Sequence, residues 1–241
     1  VTQQLLLTAA LLLSLSAHAD PGYYLVTPYD NAGVRTVEAR YWSVTRPGRP
    51  QVAWPEMGVS LGLNSRWTSG LLWSWIGPSG GPYSLSTVNW SNDVLLTQGE
   101  WPLDLALHTM WVRDRADPDG GALEFGPLMQ TDFGRVQLNA NLVFEHGLGH
   151  ARDKPVQLKY QWQLRYRWQP GLHWGMQGFG ELGPWRHWDP HRRQSHRAGP
   201  AVFGTLPLAD REALVFSAAW LEGRTYRRSG HMLSLRTAWT F

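Results

Sequence analysis

The sequence predicts an all-β fold: a closed antiparallel transmembrane β-barrel of about twelve strands, with ten as the alternative count. Three observations lead there. Long segments alternate strictly between apolar and polar residues. An apolar leader ends in a cleavage-site pattern. Short turns alternate along the chain with longer polar loops.

The clearest alternation is VQLKYQWQLRYRWQ, Val156 to Gln169. Val156, Leu158, Tyr160, Trp162, Leu164, Tyr166 and Trp168 share one face; Gln157, Lys159, Gln161, Gln163, Arg165, Arg167 and Gln169 share the other. A period of two is the signature of a β-strand with unlike faces. In hydrocarbon only helices and closed barrels satisfy their own backbone, and barrels alternate apolar-out with polar-in. The competing fold is a secreted soluble sandwich or lipocalin-like barrel, whose apolar face points inward.

The elements follow in order. The leader VTQQLLLTAALLLSLSAHAD has an apolar stretch, Leu5 to Leu15, too short to span a bilayer, and Ala17-His18-Ala19 forms a small-x-small site before Asp20. Its start lacks Lys and Arg. The expected organisation is a signal peptide at 1–19, a short segment at 20–33 able to enter the lumen as a stopper, and a barrel over 34–241. Strands are expected at 34–46, 51–65, 69–77, 84–97, 102–114, 121–132, 135–146, 156–169, 172–183, 198–208, 212–222 and 231–241. The third, tenth and eleventh have inward faces short of polar residues. Pro55, Pro127, Pro200 and Pro207 fall inside strands, where proline marks a bulge or a gap in the ladder.

With both ends periplasmic, the turns Ser65–Thr68, Gln98–Trp101, Phe133–Gly134, Pro170–Gly171 and Ala209–Arg211 face the periplasm. DRADPDGG, HGLGHARDKP, GPWRHWDPHRRQSHRAG and EGRTYRRSGH face outward. Trp67, Trp101, Trp168 and Trp239 then fall near one membrane interface, and Trp42, Trp54, Trp75 and Trp111 toward the other, as two aromatic belts.

Composition excludes several classes. The chain has 241 residues, 15 Trp, no Cys and a formal charge of +3. Disulfides and thiolate chemistry are excluded. The charge is too mild for nucleic acid, and no basic aromatic motif supports such a partner. Past the leader no apolar run is long enough for a membrane helix. No nucleotide-binding loop of the G-x-x-x-x-G-K type occurs, and no cofactor is expected. The Ser195-His196 dipeptide sits in a loop, where sequence neighbours make a poor catalytic pair, so no catalytic residue is nominated and no enzyme is expected.

The last strand, HMLSLRTAWTF, places Leu233, Leu235, Thr237, Trp239 and Phe241 on one face. It resembles the aromatic-ended C-terminal strand of bacterial outer-membrane barrels. That resemblance implies recognition by the barrel-assembly machinery through Phe241, and contact with outer-membrane lipid. Two further segments, Asn141–Trp185 and His196–Gly223, carry an L-x-Y-x-x-Q-x-R-Y strand (Leu158 to Tyr166), a G-F-G-E element (Gly178 to Glu181) and a G-P-A-x-F-G element (Gly199 to Gly204). They resemble small proteobacterial outer-membrane barrels near the transporter-like group of the meta-pathway of phenol degradation. The resemblance implies the outer membrane and transport, without a substrate or catalytic residues.

The expected function is a channel or transporter-like barrel for small solutes. The alternative is a non-catalytic structural or surface-binding barrel. Charged residues expected in the lumen are Glu38, Glu56, Asp93, Asp104, Glu124, Asp132, Glu145 and Glu181, with Arg40, Arg135, Lys159, Arg165, Arg167 and Arg236. They either set selectivity or cross-brace the walls, and a small barrel, which fills its interior, favours bracing. Among the loop histidines, His146 with His150, and His187, Asp189 with His191, carry ligand chemistry for copper, zinc or nickel, although no complete metal motif is present.

Overall fold

The computed structural model describes residues 25–28, 33–46, 48–225 and 228–241. The expected leader at 1–19, and most of 20–33, lie outside the described residues. Twelve strands follow one another: β1 Arg35–Arg46, β2 Arg49–Gly62, β3 Trp67–Pro78, β4 Ser84–Leu95, β5 Asp104–Asp114, β6 Gly121–Phe133, β7 Val136–Leu148, β8 Gln157–Gln169, β9 Leu172–Pro184, β10 Ser195–Ala209, β11 Glu212–Thr225 and β12 Arg228–Thr240. Each pairs antiparallel with its neighbours in sequence, and β1 pairs with β12 from Thr36↔Thr240 to Thr45↔His231, so the sheet closes. Closure leaves no unpaired edge, which a membrane would not tolerate.

The exterior is apolar. Met57, Val59, Leu61, Leu71, Leu107, Leu142, Leu164, Met176 and Trp220 are all exposed on the outer wall. The interior carries the buried polar groups, among them Glu124, Asn139, Asn141 and Gln161. An apolar exterior around a polar interior identifies lipid as the outer solvent. Indole N–H groups on that wall find partners on it: Trp67 Nε1 donates to Asn92 Oδ1 at 3.1 Å, and Trp90 Nε1 to Ser69 Oγ at 3.0 Å.

The prolines do not open the wall. At Pro55, Pro127 and Pro200 the ladder lapses on one side only. Tyr41↔Pro55, Leu107↔Pro127 and Met176↔Pro200 remain paired, while the β2–β3, β6–β7 and β10–β11 registers skip those residues. The missing N–H would have served the skipped side. Two of these prolines follow glycine, and there the neighbouring strand closes in. A Cβ on Gly126 would lie 1.9 Å from the Leu142 carbonyl oxygen, and one on Gly199 2.0 Å from that of Trp220. Pro207 marks a register shift between Pro207 and Ala209.

Glycines also explain two of the sequence motifs. On the lipid face, the Trp162 ring lies across Gly178 and the Tyr160 ring across Gly180; Phe216 lies across Gly204. A Cβ at these glycines would meet the rings at 2.4, 2.2 and 2.0 Å. An aromatic ring laid over a cross-strand glycine fills the missing side chain and pins the register. In Gly178-Phe179-Gly180, Phe179 therefore points into the lumen and is buried.

The connections depart from expectation at three places, one of them the start of β10 at Ser195 inside an expected loop. β11 and β12 continue their ladder to Thr225↔Arg228, so the stretch expected as a long loop is mostly strand. At the rim that carries the termini, the connection 96–103 is longer than a tight turn. The expected length asymmetry rests on 115–120, 149–156 and 185–194 at the opposite rim.

Candidate functional site: the lumen

The lumen has two unlike walls. Strands β4 to β8 present hydrogen-bonded Asn, Gln, His, Asp, Glu and Lys side chains on their inward faces, interleaved with buried apolar ones such as Met110, Val112, Leu128 and Val143. Lys159 Nζ lies 2.6 Å from Glu145 Oε2 and 3.5 Å from Glu124 Oε1, with all three side chains buried. His108 Nδ1 meets Asp93 Oδ1 at 2.5 Å. Gln137 Nε2 and Asn139 Nδ2 both donate to Gln130 Oε1, at 2.9 and 2.8 Å. Asn141 Nδ2 donates to Gln161 Oε1 at 2.9 Å. Buried polar groups of this kind are stable only when they satisfy one another.

The other wall, β9 to β12 with β1 and β2, is apolar toward the rim opposite the termini. Trp42 and Trp54 stack with ring centroids 3.8 Å apart and planes 6° apart. Around them Val44, Phe179, Ala201, Phe203, Ala219, Leu221 and Met232 form one buried cluster. This corrects the expected outer belt. Trp42 and Trp54 do not face lipid; they are cross-strand partners on the inward face. Their positions share the parity of Glu38, Arg40 and Glu56, which the alternation had already assigned to the lumen. Nearer the terminal rim the same wall becomes ionic. Glu38 accepts from Arg40 Nε at 2.9 Å and from Arg236 Nε at 2.8 Å; Glu56 accepts from Ser74 Oγ at 3.0 Å and lies 3.9 Å from Arg40 Nη1.

The N-terminal segment lies between the walls. Val26 N donates to Gln161 Oε1 at 3.4 Å, and its carbonyl accepts from Asn141 Nδ2 at 2.8 Å. Its side chain packs with Leu95, Ala106 and Leu128, inward residues of β4, β5 and β6.

The remaining charged positions are dispersed. Arg167 Nη2 donates to Asp132 Oδ1 at 2.7 Å and to Gln137 Oε1 at 3.2 Å. Arg165 Nη2 donates to Gln163 Oε1 at 3.1 Å, and its guanidinium lies 4.6 Å over the Phe203 ring. Asp104 opens β5 and accepts from Gly99 N at 2.6 Å, which places it at the rim. Arg135 is exposed in the connection between β6 and β7, outside the strands that wall the lumen. Glu181 is part-buried near the far end of β9. Arg197 is missing from the expected set because its stretch reads as loop. β10 begins at Ser195, and Arg197 is among the most buried side chains of the barrel. Extending the parity of Ala201 and Phe203 back by four residues would have found it.

The loop histidines do not converge. Among the described residues, no group of three or more His, Asp or Glu is placed to hold a metal ion. His150 Nδ1 instead meets Asp117 Oδ2 of the adjacent loop at 3.2 Å, and this hydrogen bond holds the Asp117 carboxyl below its usual range. His146 belongs to β7. His187 and Asp189 lie in the β9–β10 loop, where Asp189 N donates to the Leu182 carbonyl at 2.8 Å. His191 stacks on His196 at 5.4 Å. Ser195 and His196 face opposite sides of β10: Ser195 is buried inward, while His196 meets the Tyr160 hydroxyl at 2.7 Å on the outer face. Neighbours in a strand cannot form a nucleophile–base pair.

A closed twelve-stranded wall, apolar outside and polar within, defines the class: the chain is a β-barrel of the bacterial outer membrane. Solved barrels share the fold. An outer membrane channel from Pseudomonas putida F1 matches at a TM-score of 0.58 with 13% identity, over 93% of this chain and 100% of that one. The NanC porin matches at 0.58 with 8% identity, over 85% and 98%. The KdgM porin matches at 0.54 with 5% identity, over 83% and 97%. At these identities the likeness is one of fold. No protein-family model matches the sequence, and no curated protein is significantly similar to it.

Proposed function

We propose that the barrel is an outer-membrane channel for small solutes, narrowed at mid-lumen by the segment around Val26. The observation that carries this reading is the polar wall of β4 to β8. A barrel that served only as an anchor could fill its interior with apolar side chains, as part of the opposite wall does. Here one side of the lumen carries a bonded set of Gln, Asn and ionic groups that suits hydrated solutes. Channels and porins among the structures of like fold support it.

In this reading the Lys159, Glu124 and Glu145 group and the Glu38, Arg40 and Arg236 group brace the strands and also line the path. The segment around Val26 acts as the stopper, held by Asn141 and Gln161. The motifs at Leu158 to Tyr166, Gly178 to Glu181 and Gly199 to Gly204 support a kinship with the transporter-like barrels of the meta-pathway of phenol degradation. Residues 1–19 are removed on export, and the strand ending in Phe241 is the segment read by the assembly machinery. Single-channel recording in planar bilayers tests the central point. A reproducible open current is expected; silence across voltages and salts would contradict it and leave a structural barrel.

A further inference from the structure

Three ionic groups brace the lumen, and Arg165 stands outside them. Glu38 sits between Arg40 and Arg236, Lys159 between Glu124 and Glu145, and Arg167 against Asp132. Arg165 has no carboxylate within ion-pair distance among the described residues. Its Nη2 donates to the neutral Gln163 amide, while its buried Nε meets no protein acceptor. The like charges of Arg167 and Arg236 are its charged neighbours on the same side, with Asp132 a weaker attraction. Arg165 is part-buried, and a charge drawn out of water without a counter-ion is disfavoured unless something neutralises it.

A small cavity of about 50 Å³ lies beside this guanidinium. Its lining includes Arg165, Arg236, His173, Ser217 and Thr27, so the N-terminal segment forms part of its wall. His173 Nδ1 is likewise buried without a partner, and it donates in the tautomer that carries its proton there. The Phe203 ring lies against the Arg165 guanidinium, 4.6 Å from ring centroid to its central carbon. A planar fork with a free Nε–H matches the two oxygens of a carboxylate. Water needs about 15 Å³ of such space per molecule, so the cavity has room for the head of one small carboxylate and little more.

We infer that Arg165, with His173 and Arg236, forms an anion-binding constriction in the lumen that takes the carboxylate of a small organic acid. This rests on the channel reading and gives it a substrate class. The site lies toward the terminal rim, below the apolar cluster of Trp42, Trp54 and Phe179. An acid that reaches it passes an apolar surface first and a cation second.

The test is the reversal potential of wild-type protein, Arg165→Gln and Arg165→Lys in planar bilayers under a potassium chloride gradient, followed by added sodium propionate. Wild type is expected to prefer chloride over potassium and to be blocked by propionate. Arg165→Gln should lower the permeability ratio by about fivefold, because one fixed charge at a constriction dominates its selectivity. Arg165→Lys should keep the chloride preference and lose the propionate block, because an ammonium does not fork. A current without anion preference, or one unchanged in Arg165→Gln, overturns the inference and leaves the channel standing. If wild type carries no current, the channel reading fails. The site is then tested by urea unfolding in vesicles with sodium acetate against sodium chloride at equal ionic strength. An acetate-specific gain in midpoint that disappears in Arg165→Gln supports the site; no such gain overturns it.

Discussion

The two walls of the lumen are built from the same strand geometry and held by opposite physics. On β4 to β8 the inward polar side chains depend on mutual satisfaction, as at Lys159 with Glu145 and Glu124. On the outer half of β9 to β12, β1 and β2, a cluster of inward apolar side chains fills space, as Trp42 does against Trp54. Alternation thus identifies which face meets lipid. It does not determine what the other face contains.

The largest expected effects separate the walls by how they are rescued. Lys159→Met leaves two buried carboxylates without their cation and should cost about 3–5 kcal/mol. Adding Glu124→Gln and Glu145→Gln should recover most of that loss, as measured by urea unfolding in lipid vesicles. Trp42→Ala should cost a similar amount, about 3–5 kcal/mol, through the cavity it leaves. There the rescue is by volume, and Trp42→Phe should recover much of it. If Trp42→Gln were tolerated as well as Trp42→Phe, the distinction between the walls would fail.

Outside the barrel the contrast is between lipid and lumen on a single strand. Trp162→Arg puts a cation on the lipid face and should cost about 2–4 kcal/mol, read as loss of refolding yield in vesicles. Gly180→Ala places a methyl group under the Tyr160 ring and should cost about 1–3 kcal/mol by overpacking. A tyrosine truncation in the same chain, Tyr160→Ala, should relieve part of that cost. On the lumen face, Gln161→Arg removes a buried acceptor shared by two donors and should cost about 1–3 kcal/mol. Its effect should appear in conductance, because the Val26 N–H and the Asn141 amide lose their shared acceptor.

The polar wall was legible in the sequence because its inward residues differ chemically from the lipid-facing ones. In β7, Asn139 and Asn141 alternate with Leu138, Ala140 and Leu142, so facing and register follow from a period of two. The apolar wall was much less legible. In β10 and β11, Ala201, Phe203, Ala219 and Leu221 face inward while Val202, Leu206 and Trp220 face out, so both faces look alike. For the same reason Trp42 and Trp54 resembled belt residues until strand parity placed them inside. Ion pairs between distant strands, such as Arg236 with Glu38, depend on which strands close the barrel. Histidine spacing carried no information in loops, where nothing fixes the direction of a side chain. Arg165 was expected in the lumen, but only the placement of every described carboxylate shows that it has no counter-ion.

The measurement that bears most directly on the lumen as a solute path uses the absence of native cysteine. Val26→Cys and Asn141→Cys, introduced together, can be joined by a short thiol-specific cross-linker that a reductant cleaves. Channels recorded with the link in place should show a low, steady conductance, and cleavage should raise it and restore fluctuations between levels. If conductance is the same before and after cleavage, the segment around Val26 does not lie in the path that solutes take.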